Sequence, residues 1–227
     1  RRSIESYFKT GSTQFIDKNE RDYFIEAKDL FFKELIGAGR LNIVYTDYNS
    51  DILIEAIRYL NKQDKVGAIL IDYIQLLNLP EGKYKTYSRQ EELKQICLKL
   101  LALSVETGLP LILGAQFNRV VENLLQLSAN KIGEAGDIER QANLIVGLWN
   151  NNFKPAGTDG ELKEIEDKLR ALGVDKDQRD IIYAKILKNR DGKVGDEGLF
   201  TFKGNCQKIE TKPLNFTNKL DLGTGGR

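Results

Sequence analysis

The segment AILIDYIQL, residues 68–76, decides the fold class of this chain. It opens with a short, continuous apolar run, which is typical of a strand buried on both faces in a mostly parallel sheet. Asp72 follows that run at its carboxyl end, where α/β sheets place their ligands. A carboxylate there can hold the magnesium ion that bridges the terminal phosphates of a nucleoside triphosphate. Many strands end in aspartate, however, so the apolar run alone favours an ordinary strand end.

Similar apolar runs recur along the chain and predict further strands. They cover residues 41–45, 110–116, 144–149 and 181–187, and residues 199–202 with 207–210 predict a closing hairpin across 203–205. Residues 19–35, 51–60 and 89–107 carry apolar side chains at helical spacing. This alternation predicts an α/β fold with a mostly parallel β-sheet flanked by helices and a C-terminal β-hairpin.

The helix over residues 89–107 carries the clearest local signals. Ser88, followed three residues later by Glu91, predicts a capping box that satisfies two backbone donors at the helix start. Gly108 and Pro110 end the helix. Its buried face is predicted to carry Leu93, Ile96, Leu100 and Val105.

Composition excludes several classes of protein. The 227 residues carry a net charge of +1, so any phosphate binding must come from local patches or from several subunits acting together. With no histidine, and with Cys97 and Cys206 far apart, a structural zinc site and a disulfide framework are not expected. No apolar run resembles a signal peptide or a membrane span. A reducing, cytoplasmic compartment is therefore expected.

Domain boundaries are predicted at two breaks in the pattern. Residues 151–179 contain Asn, Pro and Gly followed by a charged amphipathic helix, and they predict a surface insertion between two core strands. Residues 211–227 end in GTGGR, which predicts a flexible tail. Residues 1–210, including this insertion, are expected to form one partial domain.

IDYIQLL and five further segments, which occur in the same order as in the family, resemble the C-terminal domain of replicative hexameric DNA helicases of the DnaB type. IDYIQLL, residues 71–77, is similar to the Walker B motif of that family. The further segments are RLNIVYTDYNSDILIEAIRYL at 40–60, SRQEELKQICLKLL at 88–101, LGAQFNR at 113–119, IGEAGDIERQANLI at 132–145 and AKILKNRDGKVG at 184–195. The resemblance implies a RecA-like P-loop ATPase core.

The resemblance assigns roles to four residues. Asp72 would hold Mg²⁺ through water, and Gln116 would sense the γ-phosphate of ATP. Lys188 and Arg190 would reach the ATP site of the neighbouring subunit, where the arginine would act as a finger. Without the resemblance, Gln116 is a loop-capping amide, and Lys188 and Arg190 belong to a solvated basic turn.

Two loops are expected to line a central channel that grips single-stranded DNA. The first, residues 78–87, carries Lys83 and Lys85 beside Tyr84 and Tyr87, and the second, residues 120–133, carries Asn130 and Lys131. Lysine would contact phosphates and tyrosine would stack on bases, with six copies converging on one strand. The alternative is that both are ordinary solvated loops.

Part of the 132–145 segment departs from the family. Arg140 stands where glutamine is usual, and Gln141 and Asn143 stand where aspartates are usual. These departures predict a divergent member from a phage or a mobile element, and they leave the ATPase class unchanged.

The phosphate-binding loop itself, Gly-x-x-x-x-Gly-Lys-Ser/Thr, does not occur in the 227 residues. It and the glutamate that polarises water are expected upstream of residue 1. These residues alone are accordingly expected not to hydrolyse ATP.

The favoured function is an ATP- and Mg²⁺-dependent helicase motor that translocates on single-stranded DNA during replication. It would work as a homo-oligomer, expected to be a hexameric ring, with a primase or a helicase loader as further partner. One alternative is a RecA-type recombinase that forms filaments on DNA. The other is a catalytically inactive DNA-binding scaffold on the same fold.

Overall fold

The computed structural model describes residues 18–44, 48–63, 66–80, 88–133, 136–150, 157–174, 178, 180–203 and 208–211. The chain divides into two compact units. The first unit comprises Arg1–Tyr87 with Leu98–Gly114, and the second comprises Ser88–Cys97 with Ala115–Arg227.

The first unit combines helices with one short pair of strands. Its elements are α1 (Lys18–Phe31), which continues into a π-helical turn (Phe32–Gly37), α2 (Ser50–Asn61), β1 (Ile69–Ile71), a 3₁₀ turn (Ile74–Leu76) and β2 (Leu111–Leu113). Helix α3 (Arg89–Thr107) starts in the second unit and ends in the first. Asn49 caps α2, because its side chain accepts hydrogen bonds from the backbone N–H groups of Asp51 and Ile52.

Strands β1 and β2 pair in parallel, with Ile69 opposite Leu111 and Ile71 opposite Leu113. This confirms the two predicted strands in shorter form. Ile71 is buried, whereas the central pair, Leu70 and Ile112, is 71% and 57% exposed. The parallel pair is therefore covered on one face and open on the other.

The second unit is built on a four-stranded antiparallel sheet in the order β3-β4-β5-β6. A short helix, α4 (Gly136–Gln141), precedes the sheet. The strands are β3 (Leu144–Asn150), β4 (Ile181–Asn189), β5 (Glu197–Lys203) and β6 (Lys208–Thr211). The predicted closing hairpin is confirmed as β5 and β6. Exposure alternates along β3, with Ile145 buried and Val146 exposed, because the two faces of this sheet differ in burial.

Helix α5 (Asp159–Ala171) lies within the segment predicted as a surface insertion. Thr158 and Glu161 form its capping box. Ile165 and Leu169 are 2% and 8% exposed and belong to the core of the second unit, together with Tyr183 of the sheet. The helix lies between β3 and β4, and one of its faces is part of the core.

The sequence predictions need three corrections. The prediction of a mostly parallel sheet is wrong for the described strands, because among them only β1 and β2 pair in parallel. Residues 41–44 form no strand, and their side chains are exposed. Val105 is exposed, although Leu93, Ile96 and Leu100 of the same predicted stripe are buried. It lies five residues after Leu100, off the helical spacing, and Leu103 continues the buried face instead. Among the described helices, none has both the length and the apolar character needed to cross a bilayer.

Candidate functional site

Asp72 lies immediately after β1, at the carboxyl end of the parallel pair, and its side chain is exposed. Gly114 follows β2 at the same edge. Its N–H donates to the carbonyl of Ile71 at 2.8 Å, and its carbonyl accepts from the N–H of Ile74 at 2.9 Å. These two hydrogen bonds fix the backbone on both sides of Asp72, whose peptide bond to Tyr73 is cis.

The glycine at position 114 leaves room for the Asp72 carboxylate. A Cβ added to Gly114 would stand 3.3 Å from Oδ1 of Asp72 and 3.4 Å from Cβ of Tyr73. Any side chain here would therefore press on the carboxylate. No signal in the sequence distinguishes Gly114 from any other glycine, so its role beside the carboxylate was not predicted.

The donor set at this edge fits Mg²⁺ held jointly with a phosphate. Mg²⁺ prefers oxygen ligands and is commonly bound by one or two carboxylates together with substrate phosphates and water. Within the described part of the chain, no three His, Cys, Asp or Glu side chains cluster closely enough to form a metal site of their own. A single exposed carboxylate at a sheet edge, such as that of Asp72, fits a site in which the protein and a phosphate bind Mg²⁺ together.

Gln116 lies in the second unit, three residues beyond β2, with an exposed side chain. Its carbonyl accepts a hydrogen bond from the N–H of Gly133 at 2.8 Å, and the N–H of Asn118 donates to the carbonyl of Lys131 at 2.8 Å. Phe117 and Ile132 form an antiparallel bridge between these bonds. The backbone around Gln116 is thus tied to the end of the loop that carries Lys131.

Lys131 ends the 3₁₀ turn Ala129–Lys131 and is half-buried. It is the single predicted DNA-binding lysine whose position the described ranges include. Lys83 and Lys85, with Tyr84 and Tyr87, lie outside the described residues. Their predicted contacts with DNA stay predictions.

Lys188 and Arg190 converge on the end of the short helix α4 (Gly136–Gln141). Nζ of Lys188 donates to the carbonyl of Glu139 and, at 3.1 Å, to that of Arg140. Nη2 of Arg190 donates to the same Arg140 carbonyl at 3.4 Å. Both side chains therefore reach the same acceptor, although β4 ends at Asn189 and Arg190 lies in the following turn.

Two local features place this pair. The pairing of β3 with β4 shifts between Ile145 and Val146, so that β4 carries an extra residue before Lys188. Beyond Arg190, the side chain of Asn189 accepts from the N–H of Asp191 at 3.3 Å and donates to the carbonyl of Lys193 at 3.4 Å. The bulge and the braced turn set the direction of both cations.

A groove of about 330 Å³ runs beside these elements in the second unit. Its lining comes from the loop before α4, from α4 itself, from β4 and from the turn after it: Leu127, Ser128, Ala129, Asn130, Glu139, Lys185, Ile186, Leu187 and Val194. The groove and the backbone carbonyls at the end of α4 were not predicted, because neither leaves a pattern in the side-chain sequence.

Of the predicted residues, Gln116, Lys131, Lys188 and Arg190 lie in the second unit, and Asp72 lies in the first. Within the second unit, the structure joins the backbone of Gln116 to that of the Lys131 loop, and Lys188 to Arg190 through a shared acceptor.

Comparison with known proteins gives a consistent result. The family description "DnaB-like helicase C terminal domain" matches residues 37–211. The replicative DNA helicase DnaB of Rickettsia typhi is 29% identical over 163 residues, which cover 66% of this chain and 31% of that protein. The replicative DNA helicase DnaC of Bacillus subtilis is 30% identical over 162 residues, which cover 69% of this chain and 31% of that protein.

One solved structure, of a DnaB-like replicative helicase and its interactions with primase, aligns with a TM-score of 0.53 at 23% identity. It covers 71% of this chain and 34% of that one. This likeness shows the fold alone. The chain spans about a third of the length of the two curated relatives named above.

Proposed function

The chain belongs to the DnaB-like helicase C-terminal domain family, and from this premise we propose that it forms part of the ATP-driven motor of a replicative DNA helicase. In this proposal the complete protein hydrolyses ATP with Mg²⁺ and translocates on single-stranded DNA. Its protomers assemble into a homo-oligomeric ring, expected to be a hexamer, and a primase is a candidate partner.

The observation that carries the proposal is the placement of Asp72. Its exposed carboxylate stands at the carboxyl end of a parallel strand pair, against a glycine that leaves it space. Open α/β sheets bind their ligands at this edge. When ATP is bound, Mg²⁺ would neutralise charge on its terminal phosphates, and the role of Asp72 is to hold that ion, directly or through water.

The remaining roles follow the family pattern. The amide of Gln116 would bond the γ-phosphate or the attacking water and change partner when the phosphate leaves. Lys188 and Arg190 would reach the nucleotide of an adjoining protomer, where a planar guanidinium can bind two phosphate oxygens. Lys131, with Lys83 and Lys85, would contact the sugar–phosphate backbone of DNA.

Replacing Asp72 in the complete protein tests the proposal. Asp72→Ala and Asp72→Asn should abolish Mg²⁺-dependent ATP hydrolysis and leave the circular dichroism spectrum unchanged, because the side chain is exposed. Asp22→Ala removes another exposed carboxylate of the first unit and should turn over ATP normally.

The outcomes separate this proposal from its alternatives. Normal turnover in Asp72→Ala would overturn the magnesium assignment. A complete wild-type protein that binds single-stranded DNA but hydrolyses no ATP would instead indicate the inactive scaffold, and filaments rather than rings in electron micrographs would indicate the recombinase.

A further inference from the structure

Residues 139–143, which follow Ile138, bind both Lys188 and Arg190. The carbonyls of Glu139 and Arg140 accept from Nζ of Lys188, and the Arg140 carbonyl also accepts from Nη2 of Arg190. The backbone N–H of Arg190 donates to the carbonyl of Asn143 at 2.9 Å. Residues 139–143, here named the docking segment, thus bind the pair through side chains and backbone together.

This attachment is chemically favourable. The last carbonyls of an α-helix have no partner within the helix, and a cation near them is stabilised by their partial negative charge. Helix α4 ends at Gln141, so the acceptors at Glu139 and Arg140 belong to its last turn. Lys188 and Arg190 supply the donors that these carbonyls lack.

The docking segment is also connected to the predicted DNA-binding loop. Helix α4 packs against the 3₁₀ turn Ala129–Lys131. Ile132 and Ile138, on either side of the start of α4, are both buried, at 7% exposure. Because the turn packs against α4, a displacement of the turn around Lys131 can be passed to α4.

The same loop is bonded to the backbone beside Gln116, through Gly133 to Gln116 and Asn118 to Lys131. Gln116, Lys131 and the docking segment are consequently linked within the second unit, by backbone hydrogen bonds between Gln116 and the Lys131 loop and by the packing of α4 against that loop. All of these contacts lie within the second unit and do not involve the first.

We propose that residues 139–143 are a docking site that positions Lys188 and Arg190, and that DNA bound at the loop of residues 120–133 releases the pair toward an adjoining protomer's triphosphate. The inference rests on the proposed function. Lys188 uses two of its three ammonium hydrogens on these carbonyls and Arg190 uses one of its five N–H donors, so docking and phosphate binding compete, mainly at the lysine. DNA can shift that competition only if it favours the released state.

The first experiment replaces Gln141 in the complete protein. Proline there disfavours the helical conformation of Arg140 and turns its carbonyl away, whereas alanine preserves the helix. Gln141→Pro should raise ATP turnover in the absence of DNA and reduce the stimulation by single-stranded DNA, by about fivefold or more for a coupling of ordinary strength. Gln141→Ala should match the wild type. Equal stimulation in all three proteins would overturn the docking role.

A second experiment keeps the docking segment intact, in case the proline variant does not fold. Spin labels on Arg140→Cys and Asp191→Cys, both exposed positions, report the separation between the docking segment and the turn beyond Arg190. The background carries Cys97→Ala and Cys206→Ser. Without DNA, a single short distance is expected. Oligo-dT with a non-hydrolysable ATP analogue should transfer a large fraction of molecules to a longer distance.

The two failures are distinguishable. An unchanged distance in a protein whose ATPase is stimulated by DNA would overturn docking and leave the helicase proposal in place. A wild-type protein without Mg²⁺-dependent ATP turnover would overturn the helicase proposal itself.

Discussion

Gly114 lies against the carboxylate of Asp72, so closely that a methyl group on the glycine would stand 3.3 Å from Oδ1. Most Cβ atoms in folded proteins have more room than this. The two residues come from neighbouring parallel strands, and the hydrogen bond from Gly114 to Ile71 keeps them together. The position of the carboxylate is therefore set in part by the absence of a side chain across from it.

Gly114→Ala should displace the Asp72 carboxylate and leave the fold intact. The added methyl group meets Oδ1 of Asp72, the carbonyl of Ile71 and Cβ of Tyr73, so the carboxylate must move by a few tenths of an ångström. We expect a higher Mg²⁺ concentration for half-maximal ATP turnover in the complete protein. A magnesium titration of the ATPase checks this.

Gly67→Ala is the matched control, since a methyl group there meets no atom within 4 Å. An unchanged magnesium requirement in Gly114→Ala, at unchanged thermal stability, would show that Asp72 does not depend on this contact.

Arg190→Ala should lose ATP turnover yet regain part of it in mixed rings. If Arg190 acts on a neighbour's nucleotide, subunits with a broken phosphate loop but an intact Arg190 can supply the missing group. Turnover by mixtures at varied ratios measures this. Lys193→Ala, which removes another exposed cation from the same turn, should behave as the wild type. Absence of any recovery in demonstrably mixed rings counts against a role in trans.

Ile165→Ala tests the integration of α5 into the core. Ile165 is 2% exposed and packs in the cluster that contains Tyr183, so its truncation should cost about 2–5 kcal/mol of stability. Lys163→Ala, on the exposed side of the same helix, should be close to neutral. Urea unfolding of both variants gives the comparison. If both substitutions are neutral, α5 is a peripheral insertion and does not contribute to the core.

Glu197 should make stability depend on pH. Burial alone would raise the pKa of this carboxyl, but its interactions with Lys168, Tyr183 and Lys185 together outweigh burial and lower the pKa. Since the folded protein then favours the ionised form, the stabilisation is present above the ordinary pKa of 4.5 and is lost as pH falls through the lower folded value.

Glu197→Gln should accordingly be less stable than the wild type at neutral pH, and the difference should shrink in acid. Thermal unfolding of both proteins across the acidic range checks this. A difference that stays constant with pH would show that the charge of Glu197 contributes nothing to stability.

Local signals in the sequence were sufficient for most elements. The apolar runs placed β1, β2, β3 and β4, and the capping signal at Ser88 placed the start of α3, where the Ser88 hydroxyl does accept from the N–H of Glu91. These elements are determined by nearby residues. The roles assigned to Asp72, Gln116, Lys188 and Arg190 rest on the resemblance, and they stay predictions.

Local sequence signals did not predict the direction of the strands or which of their faces are buried. A continuous apolar run does not distinguish a strand buried on both faces from one with an exposed apolar face, and β3 is of the second kind. The charged composition around α5 hid the burial of Ile165 and Leu169, since two apolar positions per few turns suffice to anchor a helix. The docking contacts use backbone carbonyls, which every residue carries.

The open face of the β1–β2 pair has a practical consequence. Leu70 and Ile112 stand side by side in water there, and adjoining apolar side chains of this kind adhere to any similar surface at high protein concentration. A preparation of these 227 residues alone would stick to itself through that patch. Its apparent size on a gel-filtration column would then include this adhesion, so a count of protomers requires a series of protein concentrations.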